Sequence, residues 1–346
     1  MIPETMRRTA VTLVIGGCGA ALAALAGMPA APLIGASLAT SAAAWGGLRL
    51  AMDTRLRDAG FLVIGLSLGS GFDADALDHA GDWALSLVLL CMSILATLLV
   101  SRWLLVRFWR KDRMTALLAT SPGTMSLALS IAAEGKGDAT TVVIMQSMRL
   151  LILAAVLPLL VAGLGAGAIA IEPREEFDLL AFGLLALFGT GAALVLKRTG
   201  FPAAFLAGGM IASAVVHAGG IVHGLPPYAL LFAGFTITGS VMGSRFSGIK
   251  VSAILHLLRA TVATVGTAAL VSAAFAAVVS VLTGLPIGQV WIAFAPGGVE
   301  AMAAIGLAMG FDPAYVALHH LVRIGFLIVL LPILSRGESR SAQAGE

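Results

Sequence analysis

Three ionisable side chains lie inside long apolar segments of this sequence. Arg149 and Arg323 each occupy the middle of such a segment, and Glu300 follows a Pro-Gly-Gly sequence in another. An ionisable residue at bilayer depth is costly and usually faces a cavity or a charged partner. Because a guanidinium group presents a planar fork of donors to a carboxylate, either arginine is a candidate ligand for an anionic solute. A desolvated glutamate can carry a proton or help to hold a cation, so Glu300 is the candidate coupling residue.

Two Pro-Gly sequences interrupt apolar segments and supply further polar groups. Pro122 lacks an N–H and Gly123 tolerates unusual torsions, so the amides after the break can point at a solute from a helix N-terminus. Irregular backbone at membrane depth persists only where it is buried in protein or lines a cavity. The alternative is a proline kink in a packed helix. The residues predicted to contact the solute at the two breaks are Ser121, Gly123, Thr124, Ser126, Gly297 and Gly298.

Gln146 and His320 lie three residues before the two arginines, and His319 adjoins His320. Positions three or four apart are neighbours on a helix surface, so we expect Gln146 and His320 to line the same cavity as the arginines. A hydrogen-bonded packing role is the alternative for the histidine. The arginines also have structural alternatives, since each could bind carbonyls freed at the opposite break, or one could pair with a carboxylate. The remaining predicted substrate-binding residues are Gln146, Arg149, His320 and Arg323.

The spacing of these residues reveals an internal duplication. An offset of 174 positions superimposes equivalent residues, among them Pro122 on Pro296, Asp138 on Asp312 and Arg149 on Arg323. We therefore predict two membrane repeats, residues 1–171 and 172–346, with function located where they meet. The copies differ at the breaks, because Ser126 stands where the second copy has Glu300. Any coupling role is accordingly asymmetric.

The composition indicates a polytopic membrane protein. Of 346 residues, 59% are hydrophobic and 11% are charged, against roughly 25% charged in soluble domains. The net charge of +3 is no nucleic-acid footprint, and Cys18 and Cys91 have no partners at metal or disulfide spacing. Walker and zinc sequences are missing. We expect no metal, no cofactor, no nucleic-acid partner and no enzymatic activity.

Hydropathy gives ten apolar runs close to the ~20 residues that a bilayer requires. They cover about 9–27, 29–46, 56–70, 82–106, 139–161, 177–196, 201–222, 226–243, 252–283 and 313–335. Two further runs, about 114–134 and 286–309, contain the Pro-Gly breaks. If both broken runs crossed the membrane fully, the two halves of the chain would have the same orientation in the membrane.

The basic residues favour the other topology, because short cytoplasmic loops carry the Lys and Arg excess. If the broken runs enter and leave on one side, every basic cluster becomes cytoplasmic and the acidic loops containing Asp73 and Glu172 lie outside. Full crossings would instead expose Lys197 and Arg245 outside. We therefore predict an all-α polytopic membrane protein with two inverted repeats, each of five transmembrane helices plus one re-entrant broken-helix hairpin. Both termini would be cytoplasmic, in a bacterial inner membrane.

The second copy carries the most specific motifs, Pro296-Gly297-Gly298-Val299-Glu300-Ala301-Met302 and His320 to Arg323. With the repeated Pro-Gly segment, they resemble the AbrB duplication family of bacterial membrane proteins over almost the whole chain. The resemblance implies a transporter or a membrane-bound regulator of gene expression; the label ammonia monooxygenase, also used for members, would need a metal cluster. The plan is also similar to that of sodium-coupled glutamate and citrate symporters, by architecture alone.

These observations predict a secondary transporter of a small, preferentially anionic solute by alternating access. The partners would be the solute, membrane lipid and a coupling ion, H⁺ or Na⁺, with a homodimer as an open possibility. The alternative from another class is a membrane-bound regulator of gene expression that acts through a partner. The solute, the coupling ion and the direction of transport are left open by the sequence.

Overall fold

The computed structural model describes residues 4–72, 83–122, 125–135, 137–164 and 179–343, and its regular secondary structure is helical. The helices of the first half are α1 Glu4–Leu25, α2 Ala31–Trp45, α3 Thr54–Gly69, α4 Ala84–Trp109, α5 Arg113–Thr120, α6 Met125–Ala133 and α7 Ala139–Gly163. Those of the second half are α8 Leu179–Arg198, α9 Ala204–Ala218, α10 Tyr228–Ser244, α11 Val251–Thr283, α12 Ile287–Phe294, α13 Val299–Ala308 and α14 Pro313–Gln343.

Each of the ten apolar runs forms one helix, and each broken run forms two short ones. Within the described part of the chain, six helices are long and apolar enough to cross a membrane, namely α1, α4, α7, α8, α11 and α14. The most apolar stretch of α7 is 72% buried, against 17% for α8, so α7 is a central helix and α8 is peripheral. Large side chains such as Leu25 and Val281 are exposed, as expected for a surface that faces lipid. The acidic loops predicted to be external lie outside the described residues.

Four shorter helices pack in two pairs through glycine. A Cβ at Gly65 of α3 would overlap the Leu206 carbonyl of α9, and a Cβ at Gly239 of α10 would overlap the Leu33 carbonyl of α2. Small residues at such interfaces allow helix backbones to approach closely. One turn on, Gly69 meets Met210 in the first pair and Gly243 meets residues 37–41 in the second. In each pair the residue numbers at the contacts increase together along both helices, so the two helices run in the same direction.

Helices α3 and α10 also contact each other, at two equivalent glycines. A Cβ at Gly60 would approach Ile237 to 3.0 Å, and a Cβ at Gly234 would approach Val63 to 3.7 Å and Ile64 to 3.5 Å. Here the residue number rises on one helix as it falls on the other. The two helices therefore cross in opposite directions, with glycine from each half at the contact.

Each broken run closes into a helical hairpin. The first hairpin comprises α5 and α6 (residues 113–133), and the second comprises α12 and α13 (residues 287–308). The Asp138 amide donates to Thr115 Oγ1 at 2.7 Å, and the Asp312 amide donates to Gln289 Oε1 at 3.1 Å. Each bond joins a residue in the first helix of a hairpin to the aspartate that precedes the next long helix. In each half, the two ends of the broken run therefore lie close together.

Asp138 and Asp312 have a second role at these positions. Asp138 Oδ1 accepts from the amides of Thr140 and Thr141, and Asp312 Oδ1 accepts from the amides of the second and third residues of α14. Both aspartates therefore cap the helix that follows the hairpin. One residue in each half closes the hairpin and starts the next long helix.

Loop contacts gather the basic segments at one end of the bundle, here called the basic end. The Leu50 amide donates to Ser247 Oγ at 2.9 Å, the Asp53 amide donates to Thr9 Oγ1 at 3.0 Å, and Lys197 Nζ lies 3.3 Å from Asp58 Oδ2. The start of α1, the loop between α2 and α3, the end of α8 and the loop after α10 therefore meet there.

The two hairpins lie near contacts at different ends of the bundle. Leu50 and Phe246 of the basic end share an apolar cluster with Leu117 of the first hairpin. By contrast, Gly71 at the far end of α3 lies against Pro313, which begins the helix after the second hairpin. The first hairpin thus packs near the basic end, and the chain after the second hairpin packs near the opposite end.

Candidate functional site

Arg149 holds the break of the first hairpin. Its side chain is buried, with Nη1 donating to the Thr120 carbonyl at 3.1 Å and Nη2 donating to the Ser121 carbonyl at 3.0 Å. These carbonyls come from the last turn of α5, where Pro122 and the break leave helix carbonyls without intrahelical partners. The bracing alternative is therefore confirmed, but the predicted partner is corrected. Arg149 binds the break of its own half, because α7 packs directly beside α5.

Arg323 holds the second break in the same way. It is fully buried, donating from Nη1 to the Ala295 carbonyl and from Nη2 to the Gly297 carbonyl, the latter at 2.9 Å. Gly298 begins α13, and a Cβ there would lie 2.9 Å from Leu150 of α7. The second break is thus fastened by its own half and packed against the residue that follows Arg149.

Neither Arg149 nor Arg323 has a carboxylate within ion-pair distance among the described residues, although Glu300 acts electrostatically on Arg323. Each guanidinium uses its two Nη atoms on carbonyl oxygens, and the Nε–H of both arginines has no hydrogen-bond partner there. The ion pair between Glu300 and an arginine, one sequence-based alternative, forms with neither Arg149 nor Arg323. Glu300 instead lies 3.8 Å from Arg245, which follows α10.

A small cavity connects the two breaks. It is lined by Thr120 and Arg149 from the first half and by Pro296 from the second, together with Ser101, Ala119, Met145, Thr264, Val265 and Ala268. Its volume of about 10 Å³ is close to that of a single water position. The space is too small for a molecule much larger than water, and Arg149 lines it together with both polar and apolar side chains.

Gln146 and His320 are equivalent by sequence but not by contact. Gln146 Nε2 donates to the Leu118 carbonyl at 2.7 Å, which adds a third side-chain bond to the first hairpin. His320 is buried, and neither ring nitrogen has a hydrogen-bond partner among the described residues. Gln146 is thus a structural partner of the hairpin, whereas His320 retains unused hydrogen-bonding capacity in the interior.

His319 belongs to a separate buried network. Its Nε2 lies 2.8 Å from Ser86 Oγ, its Nδ1 lies 2.7 Å from the Tyr315 carbonyl, and Ser86 Oγ lies 2.6 Å from the Tyr315 hydroxyl. The network joins α4 to α14. Sequence reasoning did not select Ser86 or Tyr315, although a tyrosine inside an apolar helix is a signal that could have been followed.

The structure describes some, but not all, of the residues predicted to contact the solute at the first break. Ser121 Oγ donates to the Leu118 carbonyl at 3.0 Å and its carbonyl accepts from Arg149. Gly123 and Thr124 lie outside the described residues, and for Ser126 the description covers only its place in α6. Thr120, which was not predicted, lines the cavity.

Apolar helices of spanning length, paired broken hairpins and buried arginines define the class of this molecule, a helical membrane protein with a polar interior site. The family model described as "Transition state regulatory protein AbrB" matches residues 33–337. The chain belongs to this AbrB family.

Two relatives illustrate the similarity. "Uncharacterized protein YhjN" of Bacillus subtilis (strain 168) is 32% identical over 300 residues, covering 79% of this chain and 76% of the relative. "Putative regulator AbrB" of Escherichia coli (strain K12) is 37% identical over 90 residues, which is 26% of each chain. The first similarity extends through most of both proteins, whereas the second is confined to one segment.

Proposed function

We propose that this protein is a secondary transporter, rather than an enzyme, which moves a small anion by alternating access coupled to H⁺ or Na⁺. The observation that carries the proposal is the position of Arg149. This buried cation lines the cavity between the two hairpin breaks and has an Nε–H without a partner in the described structure. A carboxylate or an inorganic anion could accept from that donor while both Nη atoms keep their carbonyl bonds.

The balance of interior charge favours an anion. Arg149, Arg323 and Arg245 supply three guanidinium groups, and Glu300 supplies one carboxylate within ion-pair distance of one of them. Removing a cation from water costs several kcal/mol when no opposite charge compensates for it. Two carbonyl bonds offset part of that cost for each central arginine. A bound anion would offset more of it, which makes an anion the solute that the site selects.

Alternating access needs two assemblies that move against each other, and the helix contacts support an inverted duplication. Gly65 with Leu206 and Gly239 with Leu33 are equivalent contacts at offsets of 174 and 173. Helix α10, the counterpart of α3, runs opposite to α3. These relations favour repeats 1–171 and 172–346 about an axis in the membrane plane, with re-entrant hairpins from opposite faces.

The basic end provides the orientation. Because Lys and Arg concentrate in cytoplasmic loops, we place this end in the cytoplasm of a bacterial inner membrane, with both termini on that side. The first hairpin then enters from the cytoplasm and the second from outside. Cysteine labelling that found Lys197→Cys accessible from outside would contradict this arrangement.

The direct test is anion flux in proteoliposomes. We would supply small monocarboxylates, dicarboxylates and inorganic anions under a pH or Na⁺ gradient, and compare wild type with Arg149→Gln. Arg198→Gln, at the exposed end of α8, is the control for loss of one positive charge. We expect gradient-dependent uptake of at least one anion, lost in Arg149→Gln and kept in the control. Absence of binding and flux across the panel would refute the anion proposal.

A regulator is the second candidate, favoured by the name of the Escherichia coli relative and by the family description. A sensor and a transporter make different predictions for a variant that cannot move solute. We would delete the gene, complement it with wild type or Arg149→Gln, and measure transcripts. Regulation that persists with the flux-defective variant would favour a regulator that acts through a partner. Regulation that is lost together with flux would make any transcriptional effect secondary to transport.

A further inference from the structure

Glu300 and Arg245 connect the second hairpin to a helix outside it. Glu300 lies in the first turn of α13, just after the break, and Arg245 directly follows α10. Their closest side-chain atoms are 3.8 Å apart, with 19% of the Glu300 side chain and 25% of the Arg245 side chain exposed. The pair is therefore partly screened from solvent and spans two elements that alternating access would move apart.

Arg245 stands between Glu300 and the charged groups of the basic end. Arg57 interacts electrostatically with Arg245 and binds Asp58, which also receives Lys197. The chain after the second hairpin packs near the opposite end, whereas the residue that follows its break contacts Arg245. The ion pair therefore lies where the second break meets the basic end.

The two halves differ at these positions. The offset of 174 places Gly71 opposite Arg245 and Ser126 opposite Glu300, so the first half has no residues for an equivalent ion pair. Gly71 packs closely against Pro313 and Ala314 instead. At these equivalent positions the first half has close packing of Gly71 against Pro313, whereas the second half has an electrostatic contact that depends on the charge of Glu300.

From this asymmetry we infer that Arg245 is the positioning residue for Glu300, and that the two form an ionic latch between the second hairpin and α10 at the basic end. A coupling proton or Na⁺ that binds Glu300 neutralises its charge and releases Arg245, which opens the cavity towards that end. The described charged groups acting on Glu300 are Arg245 and Arg323. Because Arg323 stays bound to the break, release of Arg245 frees the hairpin from α10 without undoing its fold. The latch rests on the proposed transport function and specifies its gating.

The latch can be tested without a substrate. In a Cys18→Ala, Cys91→Ala background, Val299→Cys places a thiol in the second break, where the native side chain is 4% exposed. Labelling by a membrane-impermeant maleimide in inside-out and right-side-out vesicles reports opening at each end. We expect Arg245→Gln and Glu300→Gln to raise labelling at the basic end about threefold to tenfold, the range expected for a partly exposed ion pair. Arg57→Gln, the matched control, should change it less than twofold.

The exchanged pair, Arg245→Glu with Glu300→Arg, separates a latch from general loosening. We expect the exchange to restore low labelling, because it retains the attraction while reversing its direction. Thermal unfolding of all variants in detergent provides a second measurement through a double-mutant cycle. Unchanged labelling in Arg245→Gln, or an exchanged pair no better than the single variants in both measurements, would overturn the latch. If a variant fails to fold, Arg245→Lys replaces it, with an intermediate labelling rate expected.

The outcomes distinguish the latch from the transport proposal. If the protein transports an anion but substitution of Arg245 does not change labelling, the transport proposal stands and the latch is refuted. If substitution of Arg245 changes labelling but no anion is transported, the latch stands and the transport proposal is refuted. Opening on the face opposite the basic end would refute the assignment of the latch to the basic end.

Discussion

Matched substitutions at Arg149 and Arg323 would separate bracing from solute binding. Each arginine donates two hydrogen bonds to break carbonyls, and bonds to charged groups contribute about 1.5–3 kcal/mol each. Glutamine is too short to replace both donors and leaves at least one buried carbonyl unpaired. Relief from burying a cation offsets part of the loss. We therefore expect Arg149→Gln and Arg323→Gln each to destabilise the protein by roughly 2–4 kcal/mol.

Thermal unfolding of the purified protein in detergent measures this effect. A loss of that size should lower the midpoint by on the order of 5–10 °C in both variants. The same assay with a binding anion separates the two arginines. An anion at one hundred times its Kd adds about 2.7 kcal/mol of stability to a protein that binds it. We expect that gain in wild type and Arg323→Gln, and its loss in Arg149→Gln, because Arg149 alone of the two lines the cavity.

Two results would refute this reasoning. Midpoints within 1 °C of wild type in both variants would mean that the carbonyl bonds do not hold the breaks. Equal loss of the anion-dependent gain in both variants would mean that Arg149 has no special place in the site. Arg149→Lys and Arg323→Lys serve as controls, since they keep the charge but give up the planar fork, and we expect intermediate midpoints.

Three further predictions follow from other contacts. Gly65→Val should destabilise the α3–α9 pair by about 1–3 kcal/mol through overpacking, whereas Gly266→Val, with open space around it, should leave the unfolding midpoint near that of wild type. Glu300→Gln should uncouple anion flux from the H⁺ or Na⁺ gradient while leaving anion-dependent stabilisation intact; flux that still follows the gradient would exclude Glu300 as the coupling residue. A hydrogen bond from Thr141 is the main cause that lowers the pKa of Asp138, so the cap stabilises the fold above about pH 4 and loses this effect as the pH falls. Midpoints measured from pH 6 to pH 3 should accordingly fall less steeply in Asp138→Asn, and an unchanged slope would exclude this cap as the cause.

Much of the fold can be predicted from two sequence patterns, the length of the apolar runs and the internal repeat. Apolar length determines where helices form, and the offset of 174 predicts that Asp138 and Asp312 occupy equivalent positions. The structure gives them matching caps and matching bonds to the start of each hairpin. Burial of Arg149 and Arg323 was also expected, because long apolar segments surround both residues.

The partners of buried charges could not be predicted in this way. Sequence indicates that Arg149 needs acceptors, but the choice between the near and the opposite break depends on how α7 packs against α5. Arg245 illustrates the same limit, because its position directly after an apolar run predicted a residue in a loop. Its side chain instead reaches Glu300, 55 positions away in the sequence. Such pairings are set by helix packing in three dimensions, and neither hydropathy nor internal repetition encodes them.

The pairing of α2 with α10 and of α3 with α9 has a consequence for biosynthesis. Each pair joins helices from different halves, so the faces of α2 and α3 that contact α10 and α9 have no partner until the second half is made. About 200 residues separate the end of α2 from the end of α10, a delay of roughly 10–40 s at ordinary rates of synthesis. During this interval the first half lies in the bilayer with these two helix contacts unmade. Completion of the fold is therefore timed by translation of the second half, and the first half depends on the insertion machinery or on lipid to cover these faces until then.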